Sequence, residues 1–333
     1  MRKTGMNISL YVYDTKADTY ELRKILDKPN MLEMDLVIGP VYNELVDIAA
    51  RWAQRNRINM VMPVSQSDQY LMNNRYVFQA NPSVEARVEK AAMYLARYWD
   101  KNIVILHNNT DVEKNLIEIY KNKLAGSFDY STGIEQVVIK EINCKLRGLD
   151  KIESALSQGE NIVIVPSSDE AFASEIVNKL YSYADKYKIH VFGMSNWVNF
   201  QNMELQYLQK LNGTFFTTGY INYSNKHVAN FVASYRTKFK AEPDEFAYQG
   251  FDIMYYFCSA LKRYGPNFKD CLSPTDIYPS KYGLRTTFEF DNIDRYSGFR
   301  NKGVFIVRIN ENFETVPVEV DQNVNYFFKF EWN

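Results

Sequence analysis

The sequence predicts an α/β protein built from doubly wound parallel sheets. Two short apolar strands, at residues 35–38 and 58–62, flank a helix-length segment at residues 44–56. This strand–helix–strand order predicts a βαβ unit whose strands run parallel. Strands and helices then alternate through residue 264, which favours the same architecture for most of the chain.

Size and composition bound the remaining possibilities. The chain has 333 residues, enough for two domains with their own cores, and its 46% hydrophobic and 24% charged content is typical of a globular protein. The net charge of −1 favours neither nucleic acid nor an anionic membrane as a partner. No window reaches the ~18 consecutive apolar residues of a membrane span. Residues 1–6 are basic without an apolar segment behind them, so we expect no signal peptide and no membrane insertion by this chain.

Apolar periodicity assigns the other elements in chain order. Strands are predicted at residues 7–13, 76–79, 102–107, 135–142, 161–165, 190–194 and 213–220. Helices are predicted within residues 14–26, 84–98, 112–124, 149–157, 170–187, 228–239 and 247–264. Asp18 is expected to cap the first of these helices. Gly265 and Pro266 end the last one, which is apolar nearly all round and is therefore expected to be buried.

The C-terminal part of the chain has a different pattern. Residues 286–290, 303–309 and 324–330 alternate like antiparallel strands. Asn310-Glu-Asn is expected to form a turn between two of them.

The sequence offers little that favours catalysis or a metal site. The three histidines are scattered, and the glycine-rich and nucleophile-elbow motifs are absent. Cys144, Cys258 and Cys271 lack metal-ligand spacing; Cys258 is expected to be a buried thiol, and a Cys258–Cys271 bridge stays open in an oxidising compartment. Glu113 is interpreted as part of a solvated helix face, together with neighbouring charges.

Polar turns follow the first two apolar strands. In open α/β sheets, ligands bind just beyond the carboxyl ends of the strands, and these two ends are expected to lie side by side. Their hydroxyl and amide groups can donate hydrogen bonds to an anionic or polyhydroxyl group. The candidate site here consists of the turns at residues 39–43 and 63–67.

Several segments together resemble the type I periplasmic binding proteins, in particular the leucine/isoleucine/valine-binding group. The resemblance begins with Asp35-Leu-Val-Ile-Gly-Pro and continues through the segments at residues 58–67 and 76–83. Further similar segments follow in the same order, at residues 101–107, 231–239, 242–244, 248–265, 288–291, 298–301 and 304–309. This resemblance implies two flavodoxin-like lobes that close by hinge motion on a ligand bound between them.

The resemblance also implies a division of the chain. Lobe 1 is expected to comprise residues 1–80 plus 222–283, and lobe 2 residues 81–221 plus 284–333, with crossings near Ala80, Ile221 and Gly283. The family carries a strand and a helix ahead of the position of Asn7, which this chain lacks; we interpret this as removal or truncation. The sequence looks most similar to Bacteroidetes envelope proteins that carry LysM repeats ahead of this fold. The activator lipoproteins of penicillin-binding proteins have a very similar fold.

The resemblance implies that the ligand-binding positions of the first lobe are Tyr42, Asn43, Ser65, Gln66 and Ser67. It places further candidates after the strands of the second lobe. These are Asn108, Asn109, Ser167, Ser168, Ser195 and Trp197. Amino-acid-binding members hold the ligand ammonium with an acid whose position falls near Ser195-Asn-Trp197, where this chain has no carboxylate. A buried ammonium without a counter-charge costs several kcal/mol, so a free α-amino acid is disfavoured. For Asp252 we expect a structural hydrogen bond to the neighbouring lobe rather than catalysis.

The leading hypothesis is an extracytoplasmic, two-lobed binding protein for a small polar solute: amino-acid-like, a peptide or a cell-wall fragment. It needs no cofactor and no metal, and its further partner is a membrane transporter or a cell-wall synthesis protein. The alternative is a ligand-free envelope scaffold or regulator of peptidoglycan synthesis, in which aromatic side chains fill the cleft. An enzyme is the remote third hypothesis. The expected location is the periplasm or the outer envelope.

Overall fold

A computed structural model of the chain describes residues 7–98, 100–125, 138–272 and 283–318. The strands in these ranges are β1 (Leu36–Ile38), β2 (Asn59–Met62), β3 (Val77–Gln79), β4 (Asn102–His107), β5 (Ile139–Asn143), β6 (Glu160–Ile164), β7 (Lys188–Gly193), β8 (Thr214–Thr217), β9 (Phe290–Asn292), β10 (Phe299–Asn301), β11 (Phe305–Ile309) and β12 (Thr315–Pro317). The α-helices are α1 (Thr19–Leu26), α2 (Asn43–Asn56), α3 (Val84–Leu95), α4 (Asp111–Ala125), α5 (Cys144–Arg147), α6 (Ile152–Ala155), α7 (Glu170–Tyr181), α8 (Leu205–Lys210), α9 (Lys226–Phe239) and α10 (Glu245–Tyr264).

The strands form two sheets, one in each lobe. The first sheet has the order β1-β2-β3-β10-β9, and the second has the order β12-β11-β8-β7-β6-β4-β5. All pairs are parallel except those that join β9 to β10, β8 to β11 and β11 to β12. The mixed, mainly parallel sheets confirm the predicted fold class.

The predicted βαβ unit is present in the first lobe. β1 pairs in parallel with β2, with Leu36 opposite Asn59. Between them, α2 buries an apolar face that includes Leu45, Ala49 and Ala53. Apolar residues at helical spacing thus cover the sheet, while the turn after each strand stays polar.

The prediction of a strand at residues 7–13 is wrong. This segment pairs with none of the described strands, and Leu10, Tyr11 and Val12 are exposed. Tyr13 ties it to the first lobe by accepting a hydrogen bond from Asn30 Nδ2 at 2.8 Å. An alternating pattern becomes a strand only where a neighbouring strand supplies hydrogen bonds. In the described first sheet β1 is the edge strand, so residues 7–13 do not pair beside it.

Sheet pairing also corrects the expected lobe boundary near Gly283. β10 pairs in parallel with β3, and β9 pairs with β10, so residues 290–301 belong to the first sheet. The physical reason is aromatic packing: Phe290 and Phe299 both lie against Phe78 of β3, with ring centroids 5.6 and 4.5 Å away. Within the described residues, the chain therefore passes from the first sheet to the second after Asn301.

Other predicted elements differ mainly at their ends. The helix predicted at residues 170–187 ends at Tyr181, and the one at 149–157 shortens to a 3₁₀ turn followed by α6. The predicted strand 286–290 starts only at Phe290, whereas the turn at Asn310 does join β11 to β12. The strand predicted at residues 324–330 and part of that at 135–142 lie outside the described residues.

Two buried side chains hold the segments that connect the lobes. Asn301, fully buried, donates hydrogen bonds through Nδ2 to the carbonyl oxygens of Ala80 and Thr287 at 2.9 and 3.0 Å. Its Oδ1 accepts from the backbone N–H groups of Glu289 and Gly303, both at 2.8 Å. All four hydrogen-bonding positions of the amide are thus occupied.

Asp252 of α10 has a structural role, as expected, but its hydrogen bonds do not go to the neighbouring lobe. Its carboxylate accepts hydrogen bonds from the backbone N–H groups of Leu284, Arg285 and Thr286 at 2.7 to 2.9 Å. Residues 284–286 lead into β9 of the first sheet. The hydrogen bonds therefore tie α10 to the segment before β9 and not to the second lobe. Burial raises the pKa of Asp252 although the three N–H groups act in the opposite direction.

Ion pairs join α3 of the second lobe to the first sheet. Glu89 lies 3.1 Å from Arg300 of β10, and Lys90 lies 2.7 Å from Glu289. Glu89 also contacts Lys123 of α4. None of the described helices is both long and apolar enough to cross a membrane.

Candidate functional site

A cavity of about 430 Å³ lies at the carboxyl ends of β4, β6 and β7 in the second lobe. Its wall is formed by the turns after these strands and by the first turns of α3 and α4. Apolar side chains, among them Val84, Leu116, Met194 and Phe216, make up part of the wall. A concave site with an apolar wall and a few polar groups is the usual form of a small-molecule site.

Three of the residues predicted for the second lobe line this cavity: Ser167, Ser168 and Ser195. The Ser167 hydroxyl accepts a hydrogen bond from the backbone N–H of Asp169 at 3.3 Å, which shapes the turn. Asp169 in turn caps α7 by accepting from the N–H of Phe172. Part of the polar chemistry of this turn therefore builds the backbone, and the Ser168 side chain remains exposed beside the cavity.

The other predicted residues of the second lobe lie elsewhere. Trp197 is fully buried, and its indole N–H donates to the carbonyl oxygen of Ser167 at 2.8 Å, so it supports the turn from within the core. It packs so tightly on Gly193 that a Cβ there would lie 2.5 Å from the ring. Asn108 and Asn109 lie in the turn before α4 and are not part of the cavity wall.

None of the residues predicted for the first lobe lines the cavity, but Gln66 contacts a residue that does. Gln66 accepts a hydrogen bond from Arg87 Nη2 at 2.7 Å, and Arg87 lines the cavity. Ser65 is buried, and its hydroxyl accepts from the N–H of Ser67 within the turn. Tyr42 and Asn43, at the N-terminus of α2, are exposed and do not line the cavity.

Arg87 is a cavity residue that the sequence analysis missed. Its two hydrogen bonds go to uncharged acceptors, Gln66 Oε1 and the carbonyl oxygen of Ser83. Burial lowers the pKa of Arg87, which Glu85 partly offsets. Among the described residues it forms no ion pair, so its guanidinium could still pair with an anionic group of a ligand.

Glu113 of α4 was interpreted as solvated, and this interpretation is wrong. Only 3% of its surface is exposed, and it lines the cavity. Its Oε2 accepts from the N–H groups of Asn108 and Thr110 at 3.1 and 2.9 Å, while Thr110 Oγ1 accepts from the N–H of Glu113. This is a capping box, and the Thr-Asp-Val-Glu pattern at residues 110–113 signals it. The second oxygen, Oε1, is buried and has no hydrogen-bond partner.

The described residues show no metal or disulfide chemistry at this site. They contain no group of three His, Cys, Asp or Glu side chains that could hold an ion. The bridge left open between Cys258 and Cys271 does not form: Cys258 is buried, Cys271 is exposed and both are free thiols.

No protein-family model matches the sequence, and no curated protein matches it either. Solved structures do match over nearly the whole chain. A putative branched-chain amino acid ABC transporter protein from Rhodospirillum rubrum has a TM-score of 0.65 at 17% identity, covering 95% of this chain and 89% of that one. A branched-chain amino acid ABC transporter periplasmic ligand-binding protein from Burkholderia xenovorans has a TM-score of 0.58 at 12% identity, covering 92% and 82%.

A third similar structure is an ABC transporter substrate-binding protein from Desulfitobacterium hafniense in complex with Leu. It has a TM-score of 0.52 at 16% identity and covers 92% of this chain and 88% of that one. The sheet topology and these similarities together define the two-lobed type I periplasmic binding protein fold. At such identities the similarity extends to the fold alone.

Proposed function

We propose that this protein is a non-catalytic binding protein for a small polar solute, which it holds in the cavity of the second lobe beside Gln66 of the first. The single observation that carries the proposal is the Arg87–Gln66 contact. In this contact Gln66, a predicted first-lobe residue, accepts a hydrogen bond from Arg87, a cation that lines the 430 Å³ cavity and forms no ion pair among the described residues. A carboxylate or similar anionic group of the solute would bind Arg87.

The alternative scaffold hypothesis requires a cleft filled by aromatic side chains. The aromatic residue predicted there, Trp197, instead lies in the core, and the cavity remains open. This observation favours the binding protein over the scaffold. The names of the similar structures support the same direction, since they are substrate-binding proteins.

The finer assignments are part of this proposal. We place the protein in the periplasm or the outer envelope, because the similar Burkholderia structure is described as a periplasmic protein. A membrane transporter is the partner that the ABC transporter names favour. The similarity to LysM-carrying envelope proteins of Bacteroidetes, and a cell-wall synthesis partner, stay predictions from sequence.

A thermal-shift screen tests the proposal. The panel contains amino acids, short peptides, muropeptides and sugars, and the comparison is between wild type, Arg87→Gln and Arg75→Gln. Arg75 is a matched control, because its guanidinium pairs with Asp270 on the surface, away from the cavity. A ligand at about 100 times its dissociation constant stabilises the folded state by about 2.7 kcal/mol.

We expect stabilisation of wild type and Arg75→Gln by one anionic class of compound, and a much smaller shift for Arg87→Gln. Equal shifts for both variants would remove Arg87 from the site. A flat response of a well-folded wild type to the whole panel would favour the scaffold.

A further inference from the structure

Three successive backbone N–H groups follow β4, and side chains accept hydrogen bonds from all of them. The N–H groups of Asn108 and Thr110 donate to Glu113 Oε2. The N–H between them, that of Asn109, donates to His107 Nδ1 at 3.1 Å. Asn109 has a φ of 63°, in the left-handed region, which asparagine adopts mainly in turns with local hydrogen bonds. The turn at residues 108–110 is therefore held by two side chains, His107 and Glu113.

This turn is part of the cavity wall. Thr110 and Glu113 both line the cavity, and the capping box between them begins α4. His107 is the last residue of β4, only 2% of its surface is exposed, and it does not line the cavity. It can therefore act on the wall only through the turn that it holds.

The hydrogen bonds assign one protonation state to His107. A ring nitrogen that accepts a hydrogen bond carries no proton, so the imidazole is neutral and its proton is on Nε2. Nε2 lies 3.1 Å from Glu141 Oε1 of β5. An imidazolium would carry a proton on both nitrogens. The Asn109 N–H would then face a donor instead of an acceptor, and its hydrogen bond would be lost.

The groups around the ring leave His107 as the one whose charge changes near neutral pH. Lys121 contacts Glu141 and lowers the pKa of that carboxyl, so Glu141 stays an anion. Burial raises the pKa of the Cys144 thiol to about 11, so the thiol stays neutral. Histidine is the side chain whose ordinary titration falls between about pH 5 and 8. The charged or titratable groups of the neighbouring elements are Glu141 on β5, Lys121 and Glu113 on α4, Cys144 on α5 and Glu175 on α7.

We propose that His107 is a positioning residue for the cavity wall: its neutral imidazole holds the turn at residues 108–110, and uptake of a proton releases that turn. The direction follows from the contact. The hydrogen bond to Asn109 is present while the ring is neutral and is lost as the pH falls through the titration of His107. One consequence rests on the proposed function: a solute held against Thr110 would bind less tightly in acid.

Two substitutions separate the roles of the two ring nitrogens. His107→Asn places an amide oxygen near the position of Nδ1, where it can accept the N–H of Asn109, as asparagine commonly does two residues along the chain. The amide does not titrate. His107→Gln places its amide near the position of Nε2 and leaves the Asn109 N–H without an acceptor. His190→Asn is the matched control, because His190 is a half-buried histidine of β7 in the same sheet.

Two measurements on the whole chain, without any solute, test the proposal. ¹⁵N NMR of histidine-labelled protein follows the protonation of His107 between about pH 5 and 8, and its signal is the one missing from His107→Asn. Amide hydrogen exchange at residues 108–110 is compared between wild type and each variant at the same pH, so the intrinsic pH dependence of exchange cancels. Unfolding curves establish that each variant is folded.

We expect His107 to titrate in wild type and in His190→Asn. As it takes up a proton, exchange at residues 108–110 should become about 5- to 10-fold faster than in His107→Asn. His107→Gln should exchange at the faster rate at every pH.

Three results overturn the proposal. They are a His107 signal that does not titrate in this range, a ratio of wild-type to His107→Asn exchange that stays constant with pH, and equal protection in His107→Gln and His107→Asn. If His107→Gln does not fold, the comparison of wild type with His107→Asn decides alone. Because no solute is present, each result leaves the proposed function to its own thermal-shift test.

Discussion

Replacing Asn301 by alanine should be among the most damaging single substitutions in this protein. The side chain is fully buried and connects three segments: the end of β3 at Ala80, the connection at residues 287–289 and the final crossing at Gly303. Alanine would leave two N–H groups and two carbonyl oxygens without partners. At about 1 kcal/mol for each buried group, the free energy of unfolding should fall by about 4 kcal/mol.

Asn310→Ala is the control for this prediction. Asn310 also makes three side-chain hydrogen bonds, with Asn312, Glu314 and the Glu314 carboxylate, but they are solvent-exposed in the β11–β12 turn. Water can replace these bonds, so we expect a cost below about 1 kcal/mol. Urea unfolding followed by tryptophan fluorescence measures both variants, since Trp52 lies in the first lobe and Trp197 in the second.

The reasoning would be refuted if Asn301→Ala unfolded at the same urea concentration as Asn310→Ala. That outcome would mean that the connecting segments do not depend on the buried amide. A large loss confined to Asn301→Ala would support the central role of this side chain.

Two further predictions concern the ion pairs between the lobes and the core of the second lobe. Burial raises the pKa of Glu89, but Lys123 and Arg300 outweigh this effect, so the folded pKa lies below the ordinary value of 4.5. The stability that the carboxylate contributes is therefore present above pH 4.5 and is lost as the pH falls through the folded pKa. Urea unfolding should show a smaller loss in acid for Glu89→Gln than for wild type, and equal losses would contradict the prediction. Gly193→Ala would place a Cβ 2.5 Å from the Trp197 ring, which is enclosed in the core. We expect a cost of about 1–3 kcal/mol and a lower melting temperature; an unchanged melting temperature would show that the ring can move.

Local elements of the fold are well predicted from sequence because their determinants lie close together in the chain. The Asp18 cap of α1 is a hydrogen bond to the N–H of Glu21, three residues away. The parallel β1–α2–β2 unit follows from apolar periodicity and two polar turns. These features need no knowledge of distant segments.

Features that depend on distant partners are predicted poorly. The pattern at residues 7–13 is that of a strand, but no neighbour in the described sheet supplies the pairing. Residues 290–301 join the first sheet because of contacts with Phe78, more than two hundred residues earlier. Periodicity alone carries no information about either partner.

The candidate site shows the same division. The Ser167 turn, predicted from its place after a strand, lines the cavity, because the ends of parallel strands are predictable. Trp197 was predicted at the ligand site but is enclosed in the core. Glu113 was predicted to be solvated but lines the cavity. The capping-box spacing at Thr110 and Glu113 is the signal that could have identified the acid. Arg87 carries a weaker signal, a cation in the first turn of α3, where the helix dipole favours acids.

The joining of β9 and β10 to the first sheet has a consequence for how the protein forms during synthesis. Residues 102–217 supply five of the seven strands of the second sheet in one continuous stretch. The aromatic core of the first lobe needs Phe78 early in the chain together with Phe257, Phe290 and Phe299 near its end. A nascent chain emerging from the ribosome can therefore assemble most of the later lobe first. The first lobe, whose synthesis begins earliest, must wait for β9 and β10, which follow five strands of the second sheet in the chain.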